Sequence, residues 1–495
     1  MSVTETASAG VDAEAKRLIR NTLVYLLPSL LVRGVTLILT PVYARTLTPA
    51  EYGVIGVVNG LIPALTVILG FALQTSIARL QQRCENEAQR REQLGAALVF
   101  TLIAPTILAL AIEAAGSAGL LDDALANIPY APYLRYALWT AVLGLFLPLL
   151  TGAYMAKERS AVVALTNGGT AMLQLALTVM FVVVHRFGIN GALLGGLLSS
   201  ACSAVVSVAL VGRRATFRGD LRPPLRIALA YSVPLVPHAL ANWGLALSDR
   251  LILEHRVPKD ELGRYTFAYL FAAVNLVFFG AIINALHPML TRRLHADDGR
   301  GDVPRLGRYA LVAMGAAATL TVAFAPEALR VLAPASYHAA SVYVPWLVGG
   351  ALAQGVYWVA SLGTWFSMNT RVVPLVSSLC FGANVGANLI FVPRYGTIAA
   401  AWITTATYVL LALLHGRLAQ RLHRIHWEYL RWVGIAGAFG VVWALAPHLG
   451  FGWRIITCVL ITPALLFLFR GLDRSDLAIA KAAFPRFTQR TRSAQ

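Results

Sequence analysis

Charge is what this chain has least of. Only 13% of its 495 residues are Asp, Glu, Lys or Arg, while 58% are apolar; soluble domains carry roughly a quarter charged residues. That balance excludes an ordinary soluble globule. Acid is the scarcer sign, with 23 Asp and Glu against 41 Lys and Arg and a net charge of +18. Cysteine is rare too: Cys84, Cys202, Cys380 and Cys458 show no CxxC spacing, and three of them stand in apolar runs. A disulfide framework and a zinc site are therefore not expected. GxxxxGK[ST], HExxH and GxSxG are all missing, so nothing points to ATP hydrolysis, zinc chemistry or an acyl nucleophile. No cofactor or metal is expected. The longest loops, 116–133 and 291–308, hold about twenty residues, too few for a separate catalytic domain.

Long apolar runs are what the chain has instead. A helix needs roughly 20 apolar residues to cross a bilayer, and fourteen such runs are found, near 20–44, 53–78, 94–116, 134–155, 161–184, 189–211, 227–255, 263–290, 309–326, 341–366, 372–392, 396–416, 430–448 and 453–470. The fold class is accordingly an all-α polytopic membrane protein of about 14 transmembrane helices. Lys and Arg are roughly three times as frequent in loops on the side of the N-terminus as in those on the other side, which predicts that both termini are cytoplasmic. Because the positive charge is distributed in this way, nucleic acid is not expected as a partner. The polar residues 1–15 and the length of the first run predict a signal anchor with no cleaved leader. The basic tail, Arg474 to Arg492, is either solvated or rests on anionic membrane lipid.

The chain also repeats. Tyr25 and Pro28 match Tyr231 and Pro234, Pro49 and Gly53 match Pro258 and Gly263, Gln74 matches Asn284, and HRFGINGAL from His185 matches PRYGTIAAA from Pro393. All of these matches fall at offsets of 206 to 210 residues. Near-constant offsets predict two six-helix lobes, and an even number of spans per lobe gives both the same orientation, a parallel repeat. The expected divisions are a disordered N-terminus 1–18, an N-lobe 19–212, a cytoplasmic linker 213–226, a C-lobe 227–418, two further helices within 419–472 and a basic tail 473–495.

Polar groups inside spans are costly and commonly face a bundle interior or a cavity. Arg33 lies too deep in its span to snorkel, and is either a lumen-facing cation or half of a buried ion pair. Asp249 and Arg250 are adjacent and point in different directions. Arg250 reaches Glu254 four residues on or serves a ligand; Asp249 is either a helix-to-helix tie or a cation-coupling site. His238 and His287 are proton-coupling candidates or plainly hydrogen-bonded histidines. Amides recur at Asn59, Gln74, Asn167, Gln174, Asn242, Asn275, Asn284, Gln354, Asn384 and Asn388. Each suits interhelical hydrogen bonding, and together they would suit hydroxyl-rich sugars.

Three passages resemble one family. SDRLILEHRVPKDELGRYTFAYLF from Ser248, PVYARTLTPAEYGVIGVV from Pro41 and FVPRYGTIAAAWITTATYVL from Phe391 are similar to segments of the Wzx-type polysaccharide-lipid flippases of the multidrug/oligosaccharidyl-lipid/polysaccharide exporter superfamily. The resemblance implies a V-shaped pair of lobes around a cationic cavity. It further implies movement of undecaprenyl-pyrophosphate-linked oligosaccharide from the cytoplasmic to the periplasmic leaflet of the bacterial inner membrane, for O-antigen, capsule or exopolysaccharide. On that reading Arg33 and Arg250 hold the pyrophosphate or acidic sugars, and Asn59, Gln74, Asn242, Asn284, Gln174 and Asn388 contact the glycan. A polysaccharide polymerase and a chain-length regulator would be further partners. Fourteen spans, against the usual twelve, resemble the lipid II flippases, whose extra pair helps accommodate the lipid tail.

Two other functions compete with this one. A cation-coupled drug exporter of the same superfamily would use buried acids, for which Asp249 and Glu113 are the main candidates. A membrane polymerase or ligase would need a large extracytoplasmic loop, which the chain lacks.

Overall fold

The computed structural model describes residues 34–35, 37–121, 125, 128–157, 159–297, 303–366 and 373–472. The segments expected to be the N-terminus 1–18 and the tail 473–495, like Arg33, lie outside the described residues. Every regular element among the described residues is helical. Ten of these helices are long and apolar enough to cross a membrane, or eleven if one bent pair is a single span.

The helices, in chain order, are α1 (37–46), α2 (Pro49–Gly70), α3 (Glu87–Ser117), α4 (Tyr130–Met155), α5 (Ala161–Val184), α6 (Gly188–Gly212), α7 (Val236–Glu254), α8 (Lys259–Asp297), α9 (Val303–Leu332), α10 (Val344–Ala360), α11 (Val373–Tyr395), α12 (Thr397–Leu422), α13 (Tyr429–Leu445) and α14 (Phe451–Leu468). Their starts are written into the sequence. Thr48 caps α2 with a reciprocal pair of bonds: the Glu51 amide donates to Thr48 Oγ1 at 3.3 Å, and the Thr48 amide donates to the Glu51 carboxylate at 2.8 Å. Pro49 then occupies the first helical turn, where its missing N–H costs nothing. Asn86 caps α3 by accepting from the Gln89 amide at 2.9 Å. At 31 residues, α3 is about 46 Å long at 1.5 Å per residue, so its polar first turns project beyond the hydrocarbon.

Three apolar runs depart from single long spans, each for a local reason. The second run stops at Gly70, eight residues before its expected end, because Phe71 and Ala72 take left-handed φ values of 50° and 52°. The seventh breaks into Arg222–Ser232, a short turn Val233–Leu235 and α7, where Pro234 and Pro237 remove two backbone donors. The tenth bends by 53° between Ala335–Val342 and Val344–Thr364, beside Pro345. In addition, α13 is only 17 residues long.

Packing divides the chain into two compact units. One comprises residues 1–267, 332–337 and 377–400. Its core gathers Leu73, Ile77, Leu94, Leu98, Phe146 and Leu150 beside a second cluster of Leu69, Leu138, Val142 and Leu145. Small residues let its backbones approach closely: a Cβ on Gly195 would lie 2.7 Å from Thr178 Oγ1, and one on Gly191 2.9 Å from the Phe181 carbonyl. Glu113, inside α3, is engaged on three sides. Arg135 Nε lies 2.6 Å from its carboxylate, and Tyr130 Oη and Trp139 Nε1 donate to it at 3.0 and 3.3 Å.

The other unit comprises residues 268–331, 338–376 and 401–495. Here α13 and α14 are fastened to α9. Trp443 Nε1 donates to Thr319 Oγ1 at 3.0 Å, and Phe439 packs where a Cβ on Gly315 would otherwise stand. Arg454 Nη1 donates to both oxygens of Glu327, at 3.0 and 3.1 Å. The fully buried Arg308 places Nε 2.8 Å from Glu428 and donates from Nη1 to the Gly471 carbonyl at 3.2 Å. Large side chains such as Leu430 (80% exposed) and Leu375 (70%) cover its outside, as expected of helices whose solvent is lipid.

Candidate functional site

The first unit contains the polar network nearest to the expected site. Asp249 is 2% exposed on α7. Its Oδ2 accepts from Tyr265 Oη at 2.6 Å, across the turn that joins α7 to α8, and its Oδ1 accepts from the Arg250 amide at 2.7 Å. Ser248 Oγ donates to Asn384 Oδ1 at 3.2 Å, and Asn388 Nδ2 donates to the same oxygen at 3.1 Å and to the Asn384 carbonyl at 2.9 Å. Ser248 and Asp249 therefore tie α7 both to α11 and to the first turns of α8. Arg250 is half-buried beside them.

Two of the predicted amides adjoin a further tie in this unit. Trp243 Nε1 donates to the Gly60 carbonyl at 2.7 Å, and Asn242 and Asn59, each next to a partner in that bond, are both exposed. Asn242 also lies seven residues before Asp249, on the same face of α7. The remaining predicted residues are placed elsewhere. Gln74 sits in the turn after α2, against Gly70 and a small internal cavity lined by Thr101, Leu145 and Leu149. Gln174 is half-buried on α5, facing Gly196 of α6. Asn388 is fully buried within the α11 pair of amides. His238 lies on α7, in the first unit. Asn284, which is exposed, and His287 lie on the part of α8 that belongs to the second unit.

A second feature of the first unit was not singled out in the sequence as a site. The starts of α2 and α8 pack directly on one another. A Cβ on Gly53 would lie 3.0 Å from the Gly263 nitrogen, and one on Gly56 would lie 2.3 Å from the Thr266 side chain. Both pairs are separated by 210 positions, an offset within the range of the matches found in the sequence. Tyr52, Phe267 and Tyr337 close over this contact, with ring centroids 5.1 to 6.1 Å apart, and Tyr337 Oη donates to the Leu47 carbonyl at 3.2 Å. The acids behind it also correspond. Glu51 lies 3.5 Å from the Cβ position of Gly188, and Glu261 lies 3.8 Å from that of Gly396 while accepting from Thr397 Oγ1. Gly188 and Gly396 both have left-handed φ, 57° and 64°, at an offset of 208, which L side chains adopt only with strain. The sequence signal was the near-constant offset of the matches, which extends to Glu51 and Glu261, 210 residues apart.

Chemically, the network offers hydrogen-bond donors and acceptors, one cation and a carboxylate already engaged by a tyrosine. No group of three or more His, Cys, Asp or Glu able to hold a metal ion occurs among the described residues.

Comparison with known proteins gives a consistent result. The model of a family described as polysaccharide biosynthesis protein matches residues 18–293, more than half of the chain. No curated protein matches. Among solved structures, the fold is similar to the lipid II flippase MurJ in its inward closed conformation, with a TM-score of 0.72 at 12% identity, covering 92% of this chain and all of that one. It is also similar to an inward-facing multidrug resistance MATE family transporter (TM-score 0.61, 13% identity, 79% of this chain and 93% of that). A third similar structure is an outward-facing transporter of the same MATE family (TM-score 0.57, 14% identity, 81% and 94%). At these identities the structural likeness is one of fold, and it agrees with the family match. The chain is a member of the polysaccharide biosynthesis protein family.

Proposed function

We propose that this protein is a Wzx-type flippase that moves undecaprenyl-pyrophosphate-linked oligosaccharide from the cytoplasmic to the periplasmic leaflet of a bacterial inner membrane. One observation carries the reading: a chain whose sequence belongs to a polysaccharide biosynthesis family has a fold like that of a lipid II flippase over 92% of its length. Fourteen spans in two six-helix lobes plus a C-terminal pair fit the same reading. The face-to-face packing of Gly53 with Gly263, and of Gly56 with Thr266, supports a two-fold repeat. The lobes rock about a site near the midplane, where Arg33 and Arg250 bind the anionic headgroup and the exposed Asn59, Asn242 and Asn284 contact sugar. The polyprenyl tail stays in lipid.

The test is the sidedness of undecaprenyl-linked oligosaccharide in inner-membrane vesicles from a strain lacking the gene. Accumulation at the cytoplasmic face, with surface polysaccharide lost, is the expected result. Normal appearance at the periplasmic face removes the flippase assignment for that substrate.

A cation-coupled drug exporter is the second reading, favoured by the fold likeness to MATE transporters. The hydrogen bonds of Asp249 to Tyr265 and of Glu113 to Tyr130 and Trp139 weigh against it, because both carboxylates already have partners.

A further inference from the structure

The second unit carries an open groove, one wall of which is α13. Its volume is about 780 Å³, and it runs between α12 and α13 over α9 and α10, with Leu352, Val409, Leu413, Ile435 and Phe439 among its lining. Four lining residues of α12, Val409, Leu413, Arg417 and Arg421, stand at intervals of four and so form one stripe along the helix. This stripe changes character along its length. Its first half is apolar and exposed, with Val409 at 43% and Leu413 at 57%; its second half is two exposed arginines. Across the groove, α13 supplies Tyr429 and Trp432 at the same end as the arginines, the residue types that settle at a membrane interface.

Beyond Tyr429 lies a second cavity of about 820 Å³, which adds Arg431 and Arg470. The one acid in its lining is Glu428, and Arg308 and Arg431 sit 2.8 and 3.5 Å from that carboxylate. Arg417, Arg421 and Arg470 form no ion pair among the described residues. An apolar trough that ends in unneutralised arginines at an aromatic belt complements a molecule with a long apolar body and an anionic head.

We propose that this groove holds a resident bilayer phospholipid with an anionic headgroup, its acyl chains along Val409 and Leu413 and its phosphate on Arg417 and Arg421. A basic pocket between helices at the membrane surface is the setting in which such headgroups bind. The lipid spans the gap between α12 and α13 and fastens the C-terminal pair to the rest of its unit. The occupant is assigned to the bilayer because Arg417 and Arg421 stand in the last two turns of α12, beside Tyr429 and Trp432, residue types of the membrane interface, and competition by undecaprenyl phosphate is the outcome that separates it from the cargo.

The experiment uses the full chain, purified in mild detergent, stripped of lipid and titrated with phosphatidylglycerol or phosphatidylcholine while native mass spectrometry counts retained molecules. Wild type should retain one phosphatidylglycerol in preference to phosphatidylcholine. Arg417→Gln/Arg421→Gln should weaken that retention by about fivefold per arginine. Ala436→Trp, which fills the groove and leaves the arginines in place, should abolish it. Arg330→Gln, an exposed arginine near the other end of α9, should change nothing. Equal retention of the two lipids by wild type overturns the proposal, even if a variant fails to fold. Undiminished retention by both groove variants overturns it as well. Displacement of phosphatidylglycerol by equimolar undecaprenyl phosphate would reassign the groove to the cargo tail. Retention is read without any transport assay, so failure of the flippase assignment leaves this test intact.

Discussion

Gly263 stands so close to Pro49 that a Cβ added to it would lie 1.7 Å from the Pro49 carbonyl oxygen. The obstacle is backbone, which cannot rotate away as a side chain would. The first turns of α2 and α8 are thus in contact through glycine at positions where any other residue forces them apart.

Gly263→Ala should therefore destabilise the protein by about 1–3 kcal/mol, the usual cost of overpacking. Gly386→Ala is the matched control, since its Cβ meets nothing within 4 Å inside α11, and it should gain about 0.5–1 kcal/mol from helix propensity. Thermal unfolding in detergent reads both signs.

The Asp249–Tyr265 bond gives a second test. Tyr265→Phe removes the donor and leaves the carboxylate, 2% exposed, short of one partner, at a cost of about 1–3 kcal/mol. In a cycle with Asp249→Ala, which removes the acceptor, the two effects should fall short of additive, because each variant breaks the same contact. Strict additivity in unfolding free energy would show that the bond contributes nothing.

Arg308 is held by Glu428 and the Gly471 carbonyl with 1% exposure. Arg308→Ala removes the nearer of the two cations on the Glu428 carboxylate and leaves Arg431 at 3.5 Å; removing one partner of a buried pair costs about 3–5 kcal/mol. Glu428 is 29% exposed, so water recovers part of that and the lower end is expected. Loss of monodisperse protein on size exclusion, rescued in part by Arg308→Lys, is the readout.

Arg33 tests the transport reading itself. Arg33→Ala should lower delivery of lipid-linked oligosaccharide to the periplasmic face at unchanged membrane abundance, whereas Arg33→Lys retains part of it. Equal delivery by Arg33→Ala and wild type would take Arg33 out of the site.

The positions of the membrane helices were legible because a bilayer demands apolar runs of a set length, and runs near 94–116, 189–211 and 396–416 needed no tertiary information. The interruptions were less so. Pro234 and Pro237 signalled the break before α7, but the left-handed Phe71 and Ala72 carry no sequence mark. Asp249 was visible as an acid inside an apolar run. Its partner Tyr265 was not, since only the tight turn between α7 and α8 brings residues 16 apart into contact. Glu51 and Glu261 were passed over because acids in a first helical turn are ordinary. Only the folded chain places Gly188 behind one and Gly396 behind the other.

The anchoring of Arg308 bears on how a chain of this kind gains or loses its C-terminal pair. Both groups that receive the guanidinium lie beyond residue 426, while the arginine itself belongs to α9. A chain ending before residue 427 would keep the cation and discard both the carboxylate and the carbonyl that receive it, so the last two helices and position 308 have to be gained or lost together if the charge is to stay compensated.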